Sequence, residues 1–161
     1  MSGFDVRGPK FDGAYCTVDT FRHLLSDKLA IDHLRNVARC LKPGGIYVLG
    51  THLLPKGGIK DKIYRWKGSR GKLTVHSSIT ILDVDSRMRE ETIGYTLRVG
   101  KQKYLSIYKL RTYTLRQFHN LLGQAGCFRI INVFDLDYDL NNPLKLDVNT
   151  EEAVCLLEKT T

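Results

Sequence analysis

The order of apolar and amphipathic segments between residues 11 and 50 constrains the fold of this chain more than any other feature. An apolar run at residues 11–18 predicts a buried strand, and a second apolar run at residues 46–49 predicts another. Between them, Ser26 is a candidate helix cap, Pro43-Gly44-Gly45 is a stop signal, and apolar residues recur at helical spacing: Ala30, Leu34, Val37 and Leu41. A strand, a helix and a strand joined at this length predict a βαβ crossover, with two parallel strands.

The sequences of these segments resemble those of class I methyltransferases that use S-adenosylmethionine and act on small molecules. The matching residues are Phe11-Asp12 at the opening of a strand, the corner at residues 17–20 (TVDT) and the step at residues 41–45 (LKPGG). They are similar to the family's fourth strand, its following helix and its fifth strand. Residues 113–115 (YTL) and 124–128 (QAGCF) are similar to the start and the exit of the family's last helix. The resemblance covers essentially the whole chain.

The resemblance does not extend to the family's glycine-rich turn, in which backbone N–H groups approach the cofactor closely. Met1 and Ser2 match the stretch that follows the family's third strand. We therefore expect this chain to correspond to the C-terminal part of such an enzyme, with the first three strands upstream of it. The resemblance also implies that this chain alone binds S-adenosylmethionine weakly or not at all.

The predicted fold class is α/β: a truncated Rossmann-like methyltransferase sheet, formed by the last four strands, with an inserted antiparallel sheet. Thr114 and Gln117 form a capping-box pattern at the last helix, and residues 128–134 and 153–157 predict a final antiparallel pair. We expect a single domain over residues 1–161. Residues 1–50 and 114–161 would form the core half, and residues 51–113 a loop followed by the insertion.

The insertion is predicted to contain three antiparallel strands, at residues 72–85, 88–99 and 103–113. In the resembled family such an insertion often forms a lid over the substrate or a surface between subunits. Glycine and proline between residues 51 and 71 indicate a loop. Within that loop, Tyr64-Arg65-Trp66-Lys67 places aromatic and basic residues side by side, a pattern that serves either to pack a loop onto the domain or to bind RNA.

Several polar residues are candidates for the site that the resemblance implies. Asp19 and His23 are the catalytic candidates, because a carboxylate or an imidazole can orient an acceptor or take its proton. A capping role for Asp19 and a packed or solvated His23 are the alternatives. By resemblance, the cofactor-binding candidates are Met1, Ser2, Cys16, Thr17 and Thr20, and the substrate-binding candidates are His52, Tyr95 and Arg111.

The whole chain has a formal net charge of +8, and the positive charge is concentrated in its middle. Residues 56–116 carry a net charge of +10 and the remaining residues −2, with a locally acidic C-terminal stretch. The basic segment is able to bind a nucleic acid, or to attract the acidic stretch of the same or another copy. The four cysteines form no CxxC pair, which predicts reduced thiols and no metal site. No apolar run approaches 18 residues and no signal-peptide pattern is present, so we expect a cytoplasmic protein with no membrane partner.

The strand at residues 11–18 would be central in the full fold, and in this chain one of its edges has no neighbour. An exposed apolar edge pairs readily with another chain, so we expect this edge to be covered by a second copy in a homo-oligomer, by a separately encoded N-terminal half, or by residues 2–10 of the same chain. Three functions remain open: a methyltransferase for a small-molecule acceptor, inactive as this chain alone; a non-catalytic interaction or dimerisation module; and an RNA-associated methyltransferase-like protein that uses the basic insertion.

Overall fold

The computed structural model describes residues 3–4, 6, 8–59, 63–136 and 139–160. The chain forms two compact units, which we call the core unit (Met1–Gly58 with Thr112–Thr161) and the insertion unit (Ile59–Arg111). In chain order the elements are β1 (Phe11–Cys16), a 3-10 turn (Thr20–His23), α1 (Asp27–Cys40), β2 (Leu41–His52), β3 (Ile63–Arg70), β4 (Leu73–Asp85), β5 (Glu90–Val99), β6 (Gln102–Arg111), α2 (Leu115–Ala125), β7 (Phe128–Phe134) and β8 (Glu152–Lys159). Neither helix in the described ranges is long and apolar enough to cross a membrane.

The core unit contains a four-stranded sheet in the order β1-β2-β8-β7. β1 and β2 are parallel, and β8 runs antiparallel to both β2 and β7. The predicted βαβ crossover and the final antiparallel pair are therefore confirmed. Within the described part of the chain β1 pairs with β2 alone, so β1 is an edge strand. The prediction of a buried strand at residues 11–18 is wrong, because β1 ends at Cys16 and none of its residues is buried.

Local capping signals define both helices of the core unit. The Ser26 hydroxyl accepts the N–H of Leu29 at the start of α1. At the start of α2, the Thr114 hydroxyl accepts the N–H of Gln117, whose side chain accepts the N–H of Thr114. Gly126 ends α2 at φ 69°, a conformation that glycine adopts without steric cost. The predicted capping box and glycine exit are both confirmed.

The end of α1 differs from the prediction that Pro43-Gly44-Gly45 ends it. The helix ends earlier, at Cys40, and Leu41 is already extended. The glycines and Pro43 lie instead inside β2, where the pairing with β1 passes from Phe11↔Leu41 directly to Gly13↔Ile46. An irregular edge pairing of this kind accommodates a proline, because no partner there requires its missing N–H.

The two helices and the sheet share one hydrophobic core. Alternate β2 side chains, Tyr47 and Leu49, are fully buried against it. Residues of α1 and α2 complete the cluster, including Leu34, Val37, Phe118 and Leu121. The amphipathic pattern of each helix is therefore explained by the burial of one face against the sheet.

The insertion unit is a four-stranded antiparallel sheet in the order β3-β4-β5-β6. The three predicted strands correspond to β4, β5 and β6. The prediction of a loop over residues 51–71 is wrong for β3, which pairs with β4 from Ile63↔Thr80 to Arg70↔Leu73. Gly71, at φ 59°, turns the chain between these strands. Because β3 is stabilised by pairing with a neighbouring strand, its Gly68 does not break it.

Candidate functional site

The carboxyl ends of the parallel strands β1 and β2 bring two predicted site residues together. Asp19 follows β1 by three residues, and His52 is the last residue of β2. The carboxyl ends of adjacent parallel strands meet at one edge of the sheet, the usual location of ligand sites in α/β folds. The Asp19 Oδ1 atom accepts the backbone N–H of His52 at 2.9 Å.

The His52 imidazole lies between two carboxylates. Its Nδ1 atom is 2.7 Å from Asp19 Oδ2, and its Nε2 atom is 3.0 Å from Glu152 Oε1 at the start of β8. Arg22, on the 3-10 turn, donates from Nη1 to Asp19 Oδ2 at 3.2 Å. We call these four residues, Asp19, Arg22, His52 and Glu152, the site cluster.

The backbone that carries Asp19 is held in an unusual conformation. Val18 and Asp19 have φ values of 51° and 58°, which is uncommon outside glycine and most of all for a β-branched residue such as valine. Such residues cost about 1–3 kcal/mol each and persist only where the surroundings enforce them. Gly50 allows the close approach, because a Cβ at this position would lie 3.2 Å from the Val18 nitrogen. The contacts of the site cluster and this packing hold Asp19 in place.

The charges of the site cluster shift the pKa values of Asp19 and His52 in opposite directions. Burial raises the pKa of Asp19, but the contact with His52 and the charge of Arg22 outweigh it and lower that pKa to about 2. Burial lowers the pKa of His52, but the neighbouring Asp19 carboxylate outweighs it, and the His52 pKa lies above its ordinary value of 6.5. The carboxylate is thus held ionised, and the imidazole is biased toward its cationic form.

This arrangement has a definite chemical capacity. A carboxylate with a pKa near 2 is a weak base, so Asp19 is suited to orient His52 or a cationic group rather than to take a proton. The pKa of the His52 imidazole is raised above 6.5, so the neutral form of His52, and not Asp19, is the group of this pair that can accept a proton. The side chains of Asp19 and His52 are 21% and 24% exposed, so the carboxylate and the imidazole are both accessible from solvent.

The other predicted residues of the core unit occupy the same corner. Cys16 ends β1 and is half-buried, and burial raises the pKa of its thiol. Thr17 is half-buried, and its carbonyl accepts the N–H of the exposed Thr20. His23 ends the 3-10 turn and is exposed. Met1 and Ser2, the candidates for adenine contacts, lie outside the described residues.

The two candidates in the insertion unit make contacts within that unit. The Tyr95 hydroxyl donates to Ser77 Oγ at 3.5 Å, and its ring lies 6.2 Å from that of Trp66. Arg111 Nη1 donates to the carbonyl of Met88 at 2.7 Å, which ties β6 to the turn between β4 and β5. These contacts stabilise the sheet, and the assignment of both residues to substrate binding stays a prediction.

Sequence reasoning did not single out Arg22 and Glu152. Arg22 follows Asp19 by three residues, a spacing that brings side chains together in a helical turn, so a local signal was present. Glu152 is 100 residues from His52, and the pairing His52↔Glu152 depends on the register of β2 against β8. No local pattern reveals that register.

Comparison with known proteins shows similarity in structure alone. No protein-family model matches the chain, and no curated protein matches it by sequence. Among solved structures, the CcbJ methyltransferase from Streptomyces caelestis matches 99% of this chain with a TM-score of 0.71 and 14% identity. CalS10, an amino pentose methyltransferase from Micromonospora echinaspora solved with S-adenosylmethionine bound, matches 99% with a TM-score of 0.68 and 16% identity. An S-adenosylmethionine-dependent methyltransferase from Clostridium acetobutylicum matches 98%, with a TM-score of 0.65 and 16% identity.

The fold is therefore that of S-adenosylmethionine-dependent methyltransferases, as the sequence resemblance implied. The match is partial in one direction: this chain spans 61–62% of the length of these three structures. At these identities the likeness establishes the fold, and what the chain does is inferred from its own site.

Proposed function

We propose that this chain forms the acceptor side of an S-adenosylmethionine-dependent methyltransferase site, with the site cluster as its polar centre. The observation that carries the proposal is the His52 imidazole held between Asp19 and Glu152 at the carboxyl ends of two parallel strands. The fold supplies the reaction class, and the site cluster supplies the groups that such a reaction uses next to its acceptor.

The acceptor in this proposal is a small molecule that carries an amine or hydroxyl group, as an amino pentose does. Methyl transfer requires the acceptor atom to be aligned with the methyl group, and much of the acceleration comes from positioning. Asp19, ionised at all physiological pH values, would hold His52 or attract a protonated amine. In its neutral form, His52 would then take the proton that the acceptor loses, and Glu152 would stabilise the resulting imidazolium.

Cofactor binding in this proposal needs more of the fold than this chain provides. S-adenosylmethionine would contact the corner formed by Cys16, Thr17 and Thr20. The glycine-rich turn that the resembled family uses for the cofactor has no counterpart in this sequence. A dissociation constant rises tenfold for each 1.4 kcal/mol of lost contact energy, so the loss of these contacts should leave binding in the millimolar range or weaker. We infer that this chain alone is inactive.

Isothermal titration of the purified chain with S-adenosylmethionine tests this proposal. We expect no saturating heat below about 1 mM cofactor, which corresponds to a binding free energy weaker than about −4 kcal/mol. A dissociation constant in the low micromolar range would contradict the proposal, because this chain would then hold a complete cofactor site. Circular dichroism on the same sample shows that the chain used is folded.

An interaction module is the second candidate function, and the edge of β1 favours it. Within the described part of the chain the outer edge of β1 pairs with nothing, and Tyr15 on this strand is 81% exposed. Phe11 at the start of β1, and Val18 two residues after its end, are also exposed. A second copy, or a chain that supplies further strands, would cover it by strand addition. Such a partner could also complete the cofactor site, so the two candidate functions are compatible.

A further inference from the structure

The insertion unit aligns four basic side chains in a single row across its sheet. The register pairs Lys67 with His76, His76 with Arg98, and Arg98 with Lys103, one residue from each strand. Directly paired residues place their side chains on the same face, and strands about 4.8 Å apart make this row about 14 Å long. We call these four residues the basic row.

The basic row carries no compensating acid. All four side chains are exposed, and within the described part of the chain none of them forms an ion pair. Like charges directly opposite each other across a sheet destabilise it. Arg98 and Lys103 are directly opposite each other on β5 and β6 and form such a like-charge pair, which bound anionic groups would stabilise.

The same face forms an open cavity of about 820 Å³ above the basic row. The next paired row on this face adds Arg65, Ser78 and Thr96, which provide one more cation and two hydroxyl groups. Among the described residues that line the cavity, none is an aspartate or a glutamate. Such a set offers many hydrogen-bond donors and a strongly positive potential.

Side chains alternate between the two faces of each strand, and the tyrosine and tryptophan side chains of this sheet point away from the face of the basic row. Trp66 also borders the cavity, but it is next to Lys67 in sequence, so the pleat directs its side chain to the opposite face, where its ring lies 6.2 Å from that of Tyr95. Single-stranded nucleic acids are held by aromatic side chains on which bases stack, together with cations. Apart from the His76 imidazole, the basic row has cations without aromatic rings on which bases stack, so its chemistry fits phosphate groups better than nucleobases.

From these observations we propose that the basic row and its cavity bind the oligophosphate group of a small soluble ligand. Arg98 on β5 and Lys103 on the edge strand β6 contact the anionic oxygens. His76 and Lys67 extend the contact to β3, and the hydroxyls of Ser78 and Thr96 donate hydrogen bonds. The proposal concerns the insertion unit alone and stands whether or not the core unit transfers methyl groups.

Calorimetric titration with sodium tripolyphosphate, at about 20 mM and at 200 mM salt, tests the proposal. We expect a dissociation constant of about 0.1–1 mM at low salt, weakened at least threefold at high salt because exposed charges are screened. The double variant Arg98→Gln/Lys103→Gln should bind at least tenfold more weakly. The matched control Arg70→Gln/Arg87→Gln removes two exposed cations from the same unit, outside the basic row, and should bind within twofold of the parent chain.

The melting temperature of the double variant shows whether a loss of binding comes from a loss of folding. Neutralising Arg98 and Lys103 removes like-charge repulsion, so the melting temperature should stay equal or rise by about 1–4 °C. If this double variant does not fold, Lys67→Gln on the edge strand β3 replaces it, with a smaller expected loss of binding.

Three outcomes would overturn the proposal. The first is tripolyphosphate binding that the control variant weakens as much as the row variant does. The second is binding of a 12-nucleotide single-stranded RNA, but not of tripolyphosphate, through the same residues. The third is binding to vesicles that contain anionic phospholipid, without binding to soluble tripolyphosphate.

Discussion

Replacement of Asp19 by asparagine tests whether the site cluster is held together by charge. Asparagine preserves the shape of the side chain and the oxygen that accepts the His52 N–H, but it removes the negative charge that faces His52 Nδ1 at 2.7 Å and Arg22 Nη1 at 3.2 Å. The pKa of Asp19 falls from 3.8 to about 2 on folding. One pKa unit corresponds to 1.36 kcal/mol, so the ionised carboxylate contributes about 2 kcal/mol to stability at pH 7.

The sign of this effect fixes its pH dependence. Because the pKa of Asp19 is lower in the folded state, its contribution is fully present above pH 3.8 and is lost as the pH falls to about 2. Asp19→Asn should therefore lower the free energy of unfolding by about 2 kcal/mol at pH 7, and the difference from the parent chain should shrink between pH 4 and pH 2.

Urea unfolding followed by circular dichroism at 222 nm is the suitable assay, because both α-helices belong to the core unit. Fluorescence is unsuitable, since the single tryptophan, Trp66, lies in the insertion unit. Asp32→Asn is the matched control: Asp32 forms an exposed pair with Lys28 on α1, and its loss should cost no more than about 0.5 kcal/mol. Equal losses in the two variants, or a loss for Asp19→Asn that does not change with pH, would refute the reasoning.

Three further predictions follow from the site cluster and the edge of β1. In NMR titrations His52 should titrate above 6.5, and Glu152→Gln should lower its pKa; a value below 6.5 in the parent chain would contradict the ion-pair geometry. Gly50→Ala should lower the free energy of unfolding in urea by about 1–3 kcal/mol, because its Cβ would lie 3.2 Å from the Val18 nitrogen. An unchanged urea midpoint would show that the backbone at Val18 shifts without cost. Light scattering at micromolar concentration should detect a dimer or larger species that Tyr15→Pro weakens while circular dichroism stays unchanged; a monomer at high concentration would exclude pairing through the β1 edge.

The sequence predicted most of what depends on neighbouring residues. The caps at Ser26 and Thr114 and the exit at Gly126 involve atoms within four residues of each other, and each was predicted correctly. The parallel pairing of β1 with β2 was also predictable, because the intervening helix and its connection length leave one reasonable topology.

The features that sequence reasoning missed depend on strand register over long separations. The glycines and the proline of residues 51–71 predict a loop, whereas β3 is stabilised by its pairing with β4. Glu152 reaches His52 through the pairing of β2 with β8, and the basic row exists only because three strand pairings align Lys67, His76, Arg98 and Lys103. Each basic residue looks like an ordinary surface charge when it is considered by itself.

The most direct test of the account is an NMR map of where a cofactor analogue contacts this chain. Amide shifts of ¹⁵N-labelled protein would be followed during titration with S-adenosylhomocysteine up to about 10 mM, a range that reveals millimolar dissociation constants. We expect weak shifts confined to residues 16–20 and to His52, at the carboxyl ends of β1 and β2. Shifts located elsewhere, or none in this corner at the highest concentration, would contradict the assignment of this site to methyl transfer.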